Sequence, residues 1–386
     1  MAESLRIAIT NPDLVWVRGA QRQVIMLARE WRSLGHEVLI VAGEKASPYA
    51  FDHLLEGIDV RTTGAWQRDL GLVNKLPGSG ALRAIMAKRG VRKASHVLDG
   101  WRPDVVNAHN HPAQWTAGLL PDVAHVWTCN EPPLWHYYPD ANHRLRDPWM
   151  RSTDAKLTRT VRAITVLDSR IAGLVKRGYP GIPVHTTGSG CELPGPLPRR
   201  GVASDITRPG FHVVSVLGVL HQQKRPHDTV KAAVLSRIPR TTLHLVGADP
   251  GGIVDELRAE ARSGGITLVH HASLSEERLL GLYANADAAL FVPENQPWGI
   301  FPLEALLAGV PAVLSRETGS LEALPQDYPF VTDVGDAATA AAHLRRIASD
   351  PEGAQAATKA SAEAIRRDHS WSACARRVLD VLRVAM

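Results

Sequence analysis

The strongest restriction on the fold is an alternation of strand-like and helical segments that runs through the chain and breaks once. Residues 6–10 form a short β-branched run, and 21–34 carry a helical apolar period closed by Gly35. Glycine suits that place because it readily adopts the left-handed backbone that ends helices. Residues 37–42 read as a second buried strand, and further strand-like runs stand at 59–62, 104–108, 124–128 and 163–166. Helical stretches separate most of them. Apolar strands alternating with helices predict a parallel sheet covered on both faces.

The break lies at 193–210, where LPGPLPRRGVASDITRPG combines Pro, Gly and Arg without a period and reads as a linker. Strands then follow at 212–217, 242–246, 266–270, 288–292 and 312–315, with helices at 228–236, 253–262, 275–284 and 302–308. Two doubly wound α/β domains are expected, and 386 residues with 45% apolar composition suffice for two cores. Cys129, Cys191 and Cys374 have no paired spacing, which argues against a disulfide framework or a zinc knuckle. No apolar run approaches the roughly 18 residues of a membrane span, and the opening residues lack a leader pattern. A soluble, cytoplasmic protein is therefore expected.

In open parallel sheets, ligands gather beyond the carboxyl ends of the strands. After the strand at 212–217 the sequence reads Gly218-Val219-Leu220-His221-Gln222-Gln223-Lys224-Arg225. Two adjacent cations ahead of a helix suit a diphosphate, with a solvated surface pair as the plain alternative. The net charge of +5 tilts the same way. After the strand at 288–292 comes PENQPWGIFPLEALLAGVP, with Pro302 expected to open a helix and Gly309 to close it. Backbone N–H groups at Gly299, Ile300 and Phe301 would then form an anion site, aided by a helix dipole of about 0.3–1 kcal/mol. Glu304, one turn in, could accept both hydroxyls of a ribose.

Taken together, these segments resemble the glycosyltransferases of family 4, which have the GT-B fold. The resemblance covers both halves. Arg18-Gly19-Ala20-Gln21 and LAREWRSLGHEVLIVAG resemble the family's glycine loop, helix and second strand, and DVVNAHNH resembles its third-strand segment. Gly218 to Lys224, LHLVGADPGG and the stretch ending at Pro311 resemble its donor loops, the last carrying a signature of two glutamates separated by seven residues.

The resemblance implies two Rossmann-like domains facing a central cleft. The first would span 1–195, with a terminal helix near 370–386 packing back on it, and would bind the acceptor. The second, 196–369, would bind a nucleotide-diphosphate sugar as co-substrate, with no other cofactor and no metal. The reaction implied is hexosyl transfer with retention, to a sugar, cyclitol or lipid-linked hydroxyl, in natural-product or cell-envelope biosynthesis. Lys224, Asn130 and His109 would be the catalytic groups. Gly19, Gly218, Lys224, Arg225, Gln296, Trp298, Gly299, Ile300, Phe301 and Glu304 would hold the donor.

The sequence departs from the family pattern in the donor region. Val219 replaces a phosphate-binding Arg, Gln296 replaces the first signature glutamate, and Asn130 replaces a histidine. Ser189-Gly190-Cys191-Glu192 stands where Asn-Gly-Val-Asp is frequent. A catalytically impaired nucleotide-sugar-binding protein is thus one alternative. A metal-dependent amidohydrolase is another, because His109-Asn110-His111 follows a buried strand and His270-His271 ends another.

Eight of the ten tryptophans precede residue 150. Flat aromatic faces pack on sugar rings, so Trp127, Trp135, Tyr137 and Tyr138 are the expected acceptor contacts. Cations do not interleave with aromatics, which argues against nucleic acid. A basic helical stretch at 81–98 reads as a solvated face, with weak peripheral membrane contact as the second option.

Overall fold

The computed structural model describes residues 3–15, 19–49, 51–66, 79–137, 148–193, 197 and 209–386. The chain divides into two compact units, Met1–Gly190 with Trp371–Met386, and Cys191–Ser370. Most of the Pro-rich stretch at 193–210 lies outside the described residues, as do Arg18 and Tyr138.

The first unit is built on β1 (Arg6–Leu14), β2 (Glu37–Lys45), β3 (Asp59–Thr62), β4 (Val105–His109), β5 (Ala124–Cys129), β6 (Ala163–Val166) and β7 (Val184–Thr186). Their order in the sheet is β3-β2-β1-β4-β5-β6-β7, with every neighbouring pair parallel. The second unit holds β8 (Phe211–Val219), β9 (Thr241–Ala248), β10 (Thr267–His271), β11 (Ala288–Phe291), β12 (Ala312–Ser315) and β13 (Val331–Thr332). Their order is β10-β9-β8-β11-β12-β13, again all parallel. Each order reverses once, between β1 and β4 and between β8 and β11. Loops diverge at such a point and leave a crevice at the carboxyl edge.

Two open sheets exclude the amidohydrolase alternative, which requires a single closed barrel. The edge strands β7 and β13, three and two residues long, carry no period that a sequence reading detects. The helix after β11 starts at Ile300, not Pro302, because Gly299 caps it.

Side-chain alternation sends residues of the first sheet to two cores. Ala8, Leu39, Val41 and Val106 pack with Ala87, Val91 and Leu98 of the helix Ser79–Trp101. Ile7, Ile9, Val38 and Ile40 pack with Val24, Leu27 and Trp31 of the helix Gly19–Ser33. Val378, Leu379 and Leu382 of the final helix, Trp371–Ala385, close the same core. The chain thus completes its first unit with its last fifteen helical residues. The Trp31 Nε1–H donates to the carbonyl of Ala375 at 2.9 Å, and the ring is wholly buried. Trp31→Phe keeps most of the apolar contact and loses this bond. We expect the variant to be less stable by about 1–2 kcal/mol, read as a lower Tm by calorimetry.

Candidate active site

The switch point of the second unit gathers most of the expected donor residues. β8 ends in an irregular register between Val216 and Gly218, opposite Gly247 of β9. Gly218 has φ +74°, and nothing lies within 4 Å of where its Cβ would project. A 3-10 turn, Gln222–Lys224, leads to Arg225, whose φ of +51° caps the helix Pro226–Ser236. Lys224 Nζ donates to Gln296 Oε1, joining the loops after β8 and β11 across the switch point. The backbone repeats that link, as Glu294 N–H donates to Gln223 O at 2.9 Å.

The loop after β11 is held from behind by the loop after β12. Gln296 pairs with Thr318, Gln296 N–H donates to Glu317 O at 3.0 Å, and Ser320 N–H donates to Trp298 O at 3.0 Å. Gly299 follows with φ +89°, and a Cβ there would sit 2.7 Å from the Phe291 ring. Only glycine meets both conditions. The helix Ile300–Leu307 begins immediately, so its first N–H groups have no intrahelical acceptor and face the loop end. Phe301 anchors that turn against Phe291 and Tyr283, with ring centroids 5.6 and 6.0 Å apart. Glu304 is half-buried and accepts from the Tyr283 hydroxyl at 3.0 Å.

Two of the expected donor contacts have other work. Arg225 bonds Asp228 and lies 3.2 Å from Glu294 Oε2. Its guanidinium is held above its ordinary pKa, chiefly by the bond to Asp228, against partial desolvation. A cation already matched by two carboxylates is a poor replacement for the arginine that Val219 displaces. Trp298 is only 3% exposed, and its ring lies against His369, with centroids 5.5 Å apart. The ring therefore packs inside the unit.

The first unit has its own switch point between β1 and β4. Asn110 Nδ2 donates to Asn11 Oδ1 at 3.1 Å across it, and Gly19 opens the nearby helix. His109 is wholly buried at the end of β4. Its Nε2 lies 2.6 Å from Asn107 Oδ1, and burial lowers its pKa to about 3. The ring is thus neutral and held in the core beside Asn107. Asn130 is buried one position beyond β5.

Trp127 is also wholly buried, edge-on to Tyr179, so it offers no face to a sugar. Trp31, Trp66 and Trp115 are equally buried, so much of the tryptophan excess is core. Trp135 is half-buried in the short helix Leu134–Tyr137, which ends at Tyr137.

A cluster that the sequence did not reveal surrounds Asp154, in the helix Pro148–Leu157. This 2% exposed carboxylate accepts from Gln114 Nε2, Trp115 Nε1 and Thr158 Oγ1 at 2.8, 2.8 and 3.2 Å, and from the Tyr179 hydroxyl at 2.7 Å. His111 Nδ1 stands 3.4 Å away. Burial alone would raise the Asp154 pKa. The bond and charge of His111, with the bonds from Trp115 and Tyr179, outweigh burial and lower it. No spacing ties residue 154 to residues 111–116, so the sequence carried no signal for this cluster.

The family model described as Glycosyltransferase Family 4 matches residues 17–193, and that described as Glycosyl transferases group 1 matches residues 207–364. Glycogen synthase of Mycobacterium tuberculosis is 26% identical over 396 residues, covering 96% of this chain and 92% of that protein. A D-inositol 3-phosphate glycosyltransferase of Arthrobacter is 27% identical over 133 residues, or 33% of this chain and 31% of that protein. Sucrose-phosphate synthase of Thermosynechococcus elongatus superposes with a TM-score of 0.74 at 16% identity, over 98% of each chain. HepE of Anabaena, in complex with UDP-glucose, superposes with a TM-score of 0.69 at 14% identity, over 98% of this chain and all of that one. With one family model on each parallel-sheet unit and the donor loops at the second switch point, the chain belongs to the family 4-like glycosyltransferases of the GT-B fold, which use nucleotide-sugar donors.

Proposed function

We propose that the chain transfers a hexosyl group from a nucleoside-diphosphate sugar to a carbohydrate, cyclitol or lipid-linked hydroxyl, with retention at the anomeric carbon. The observation that carries this reading is the second switch point, where Lys224 meets Gln296 beside the helix N-terminus behind Gly299. A diphosphate there would gain an ammonium partner and oriented backbone N–H groups. Glu304, steadied by Tyr283, would accept the ribose hydroxyls.

In the retaining step, the bond from the anomeric carbon to the leaving phosphate oxygen breaks. A bond to the acceptor oxygen forms on the same face, and the acceptor proton passes to that phosphate oxygen. The protein then works mainly by positioning and by stabilising the departing diphosphate.

Among the described residues no helix is long and apolar enough to cross a membrane. The helix Ser79–Trp101 exposes Leu82 and Ile85 along with Lys88, Arg89, Arg92 and Lys93, which favours a weak contact with an anionic lipid surface.

The test is incubation with UDP-glucose, UDP-galactose, ADP-glucose and GDP-mannose against a panel of sugar, cyclitol and glycolipid acceptors. Mass spectrometry should detect transfer with at least one pair, and proton NMR should assign the configuration of the donor to the new linkage. Nucleotide binding without release or transfer would instead favour a binding protein. An inverted linkage would overturn retention.

A further inference from the structure

Three histidines cross the second sheet in one line. His212 of β8 stands opposite Thr242 of β9, and His244 of β9 stands opposite Val269 of β10. Residues two apart on a strand share a face, so His212, His244 and His271 lie on one face, each a step further along than the last. His270 lies on the other face, where its Nε2 meets the Gly247 carbonyl at 2.8 Å. The line runs outward, from buried His212 and His244 to half-buried His271 on the edge strand β10.

The ring nitrogens face one another in turn. His212 Nδ1 lies 3.3 Å from His244 Nε2, and His244 Nδ1 lies 3.4 Å from His271 Nε2. The His244 and His271 rings are nearly parallel, 13° apart, with centroids separated by 5.7 Å. Both gaps exceed the roughly 2.9–3.0 Å usual for a hydrogen bond from N–H. They match a different geometry. Two imidazole nitrogens bound to one tetrahedral zinc at about 2.0–2.1 Å are about 3.3–3.4 Å apart. A right-angled pair of similar bonds, as in octahedral or square-planar sites, gives only about 2.8–3.0 Å.

Of the two pairs, the outer one opens to water, through half-buried His271. Among the described residues no three His, Cys, Asp or Glu side chains gather to hold a metal, so an ion here takes two protein ligands and completes its shell with water. The inner pair then has a defined role. A zinc on Nδ1 forces the His244 proton onto Nε2, which faces His212 Nδ1. Ligating histidines characteristically donate their second ring N–H to such an acceptor, and this fixes the ring. Without metal, either ring of each pair can be the donor.

We propose that His244 Nδ1 and His271 Nε2 form a zinc clip that ties the edge strand β10 to β9, with His212 as its positioning residue. Imidazole suits zinc, whereas Mg²⁺ selects oxygen ligands. An edge strand lacks a neighbour on one side, so a second attachment to β9 secures it. The inference rests on the second unit alone and stands or falls separately from the transferase reading.

The test uses the full chain, without an affinity tag and with nitrogen-15-labelled histidine, titrated with ZnCl₂ and with MgCl₂. Zn²⁺ should move the ring signals of His244 and His271 together, assigned by their absence in His244→Gln and His271→Phe. It should also raise the thermal transition, and Mg²⁺ should do neither. By calorimetry, His271→Phe should weaken Zn²⁺ at least tenfold. His227→Gln, which removes the surface pair of His227 and Glu260 at 3.5 Å, should leave the affinity unchanged. His212→Leu should weaken Zn²⁺ by about 10–100-fold. It should also shift the Nε2–H signal of zinc-bound His244, a change that a purely structural role for His212 would not produce.

Zinc affinity unaltered in His271→Phe, or lost only in His227→Gln, overturns the clip. So does a wild-type chain whose His244 and His271 rings ignore Zn²⁺, a result that needs no variant to fold.

Discussion

Replacing Lys224 by alanine is expected to lower kcat/KM for the nucleotide sugar by roughly 10²–10³-fold, the usual effect of removing one group that stabilises a developing anion. The chain reaches position 224 through a 3-10 turn at the end of β8, beside the reversal of strand order. One of its contacts there is a neutral amide, Gln296, which a diphosphate displaces more readily than it would a carboxylate. Arg225, one residue on, provides the contrast, since Asp228 and Glu294 already hold its guanidinium. Arg225→Ala should therefore lower kcat/KM by less than about tenfold. Steady-state kinetics on the two variants, with UDP affinity by calorimetry, checks both. Equal losses would mean that the diphosphate draws Arg225 away from its carboxylates.

Asp154→Ala should give the largest loss of stability, about 3–5 kcal/mol in the first unit. The substitution removes one acceptor and strands the donors of Gln114, Trp115, Thr158 and Tyr179. For a unit of this size, the thermal transition should fall by about 6–20 °C in a calorimetric scan. Asp154→Asn keeps one acceptor oxygen and should fall less.

The pH dependence has a definite sign. The folded carboxyl is held below its unfolded value, so its contribution is complete above about pH 4 and declines as pH falls through the folded pKa. The wild-type transition should therefore lose more on acidification than that of Asp154→Asn. Equal acid sensitivity in the two proteins would mean that Asp154 is not the ionised acceptor described above.

The alternation of periods was enough to fix the fold class, because a strand buried on both faces must be apolar throughout and a covering helix must show a stripe. Gly299 was legible for a similarly local reason. Its φ of +89° and the 2.7 Å approach to Phe291 leave room for no side chain, and the residue type records that. The edge strands β7 and β13 were not legible, because two or three residues cannot display a period. The tryptophan excess pointed toward sugar recognition. Burial decided otherwise for Trp31, Trp66, Trp115 and Trp127, since composition does not say which way a ring faces.

The sequence by itself thus determined the two parallel sheets and the loops that carry the donor residues, with Gly299 among them. These are properties of contiguous segments, imposed by backbone sterics and burial periodicity. The tertiary structure alone decided which partner each charged group meets. Arg225 meets Glu294 from sixty-nine positions away, Asp154 gathers residues from 111 to 179, and Lys224 reaches Gln296 across the reversal of strand order. Electrostatic and hydrogen-bond partners are set by proximity in space, and no local pattern encodes which distant group arrives.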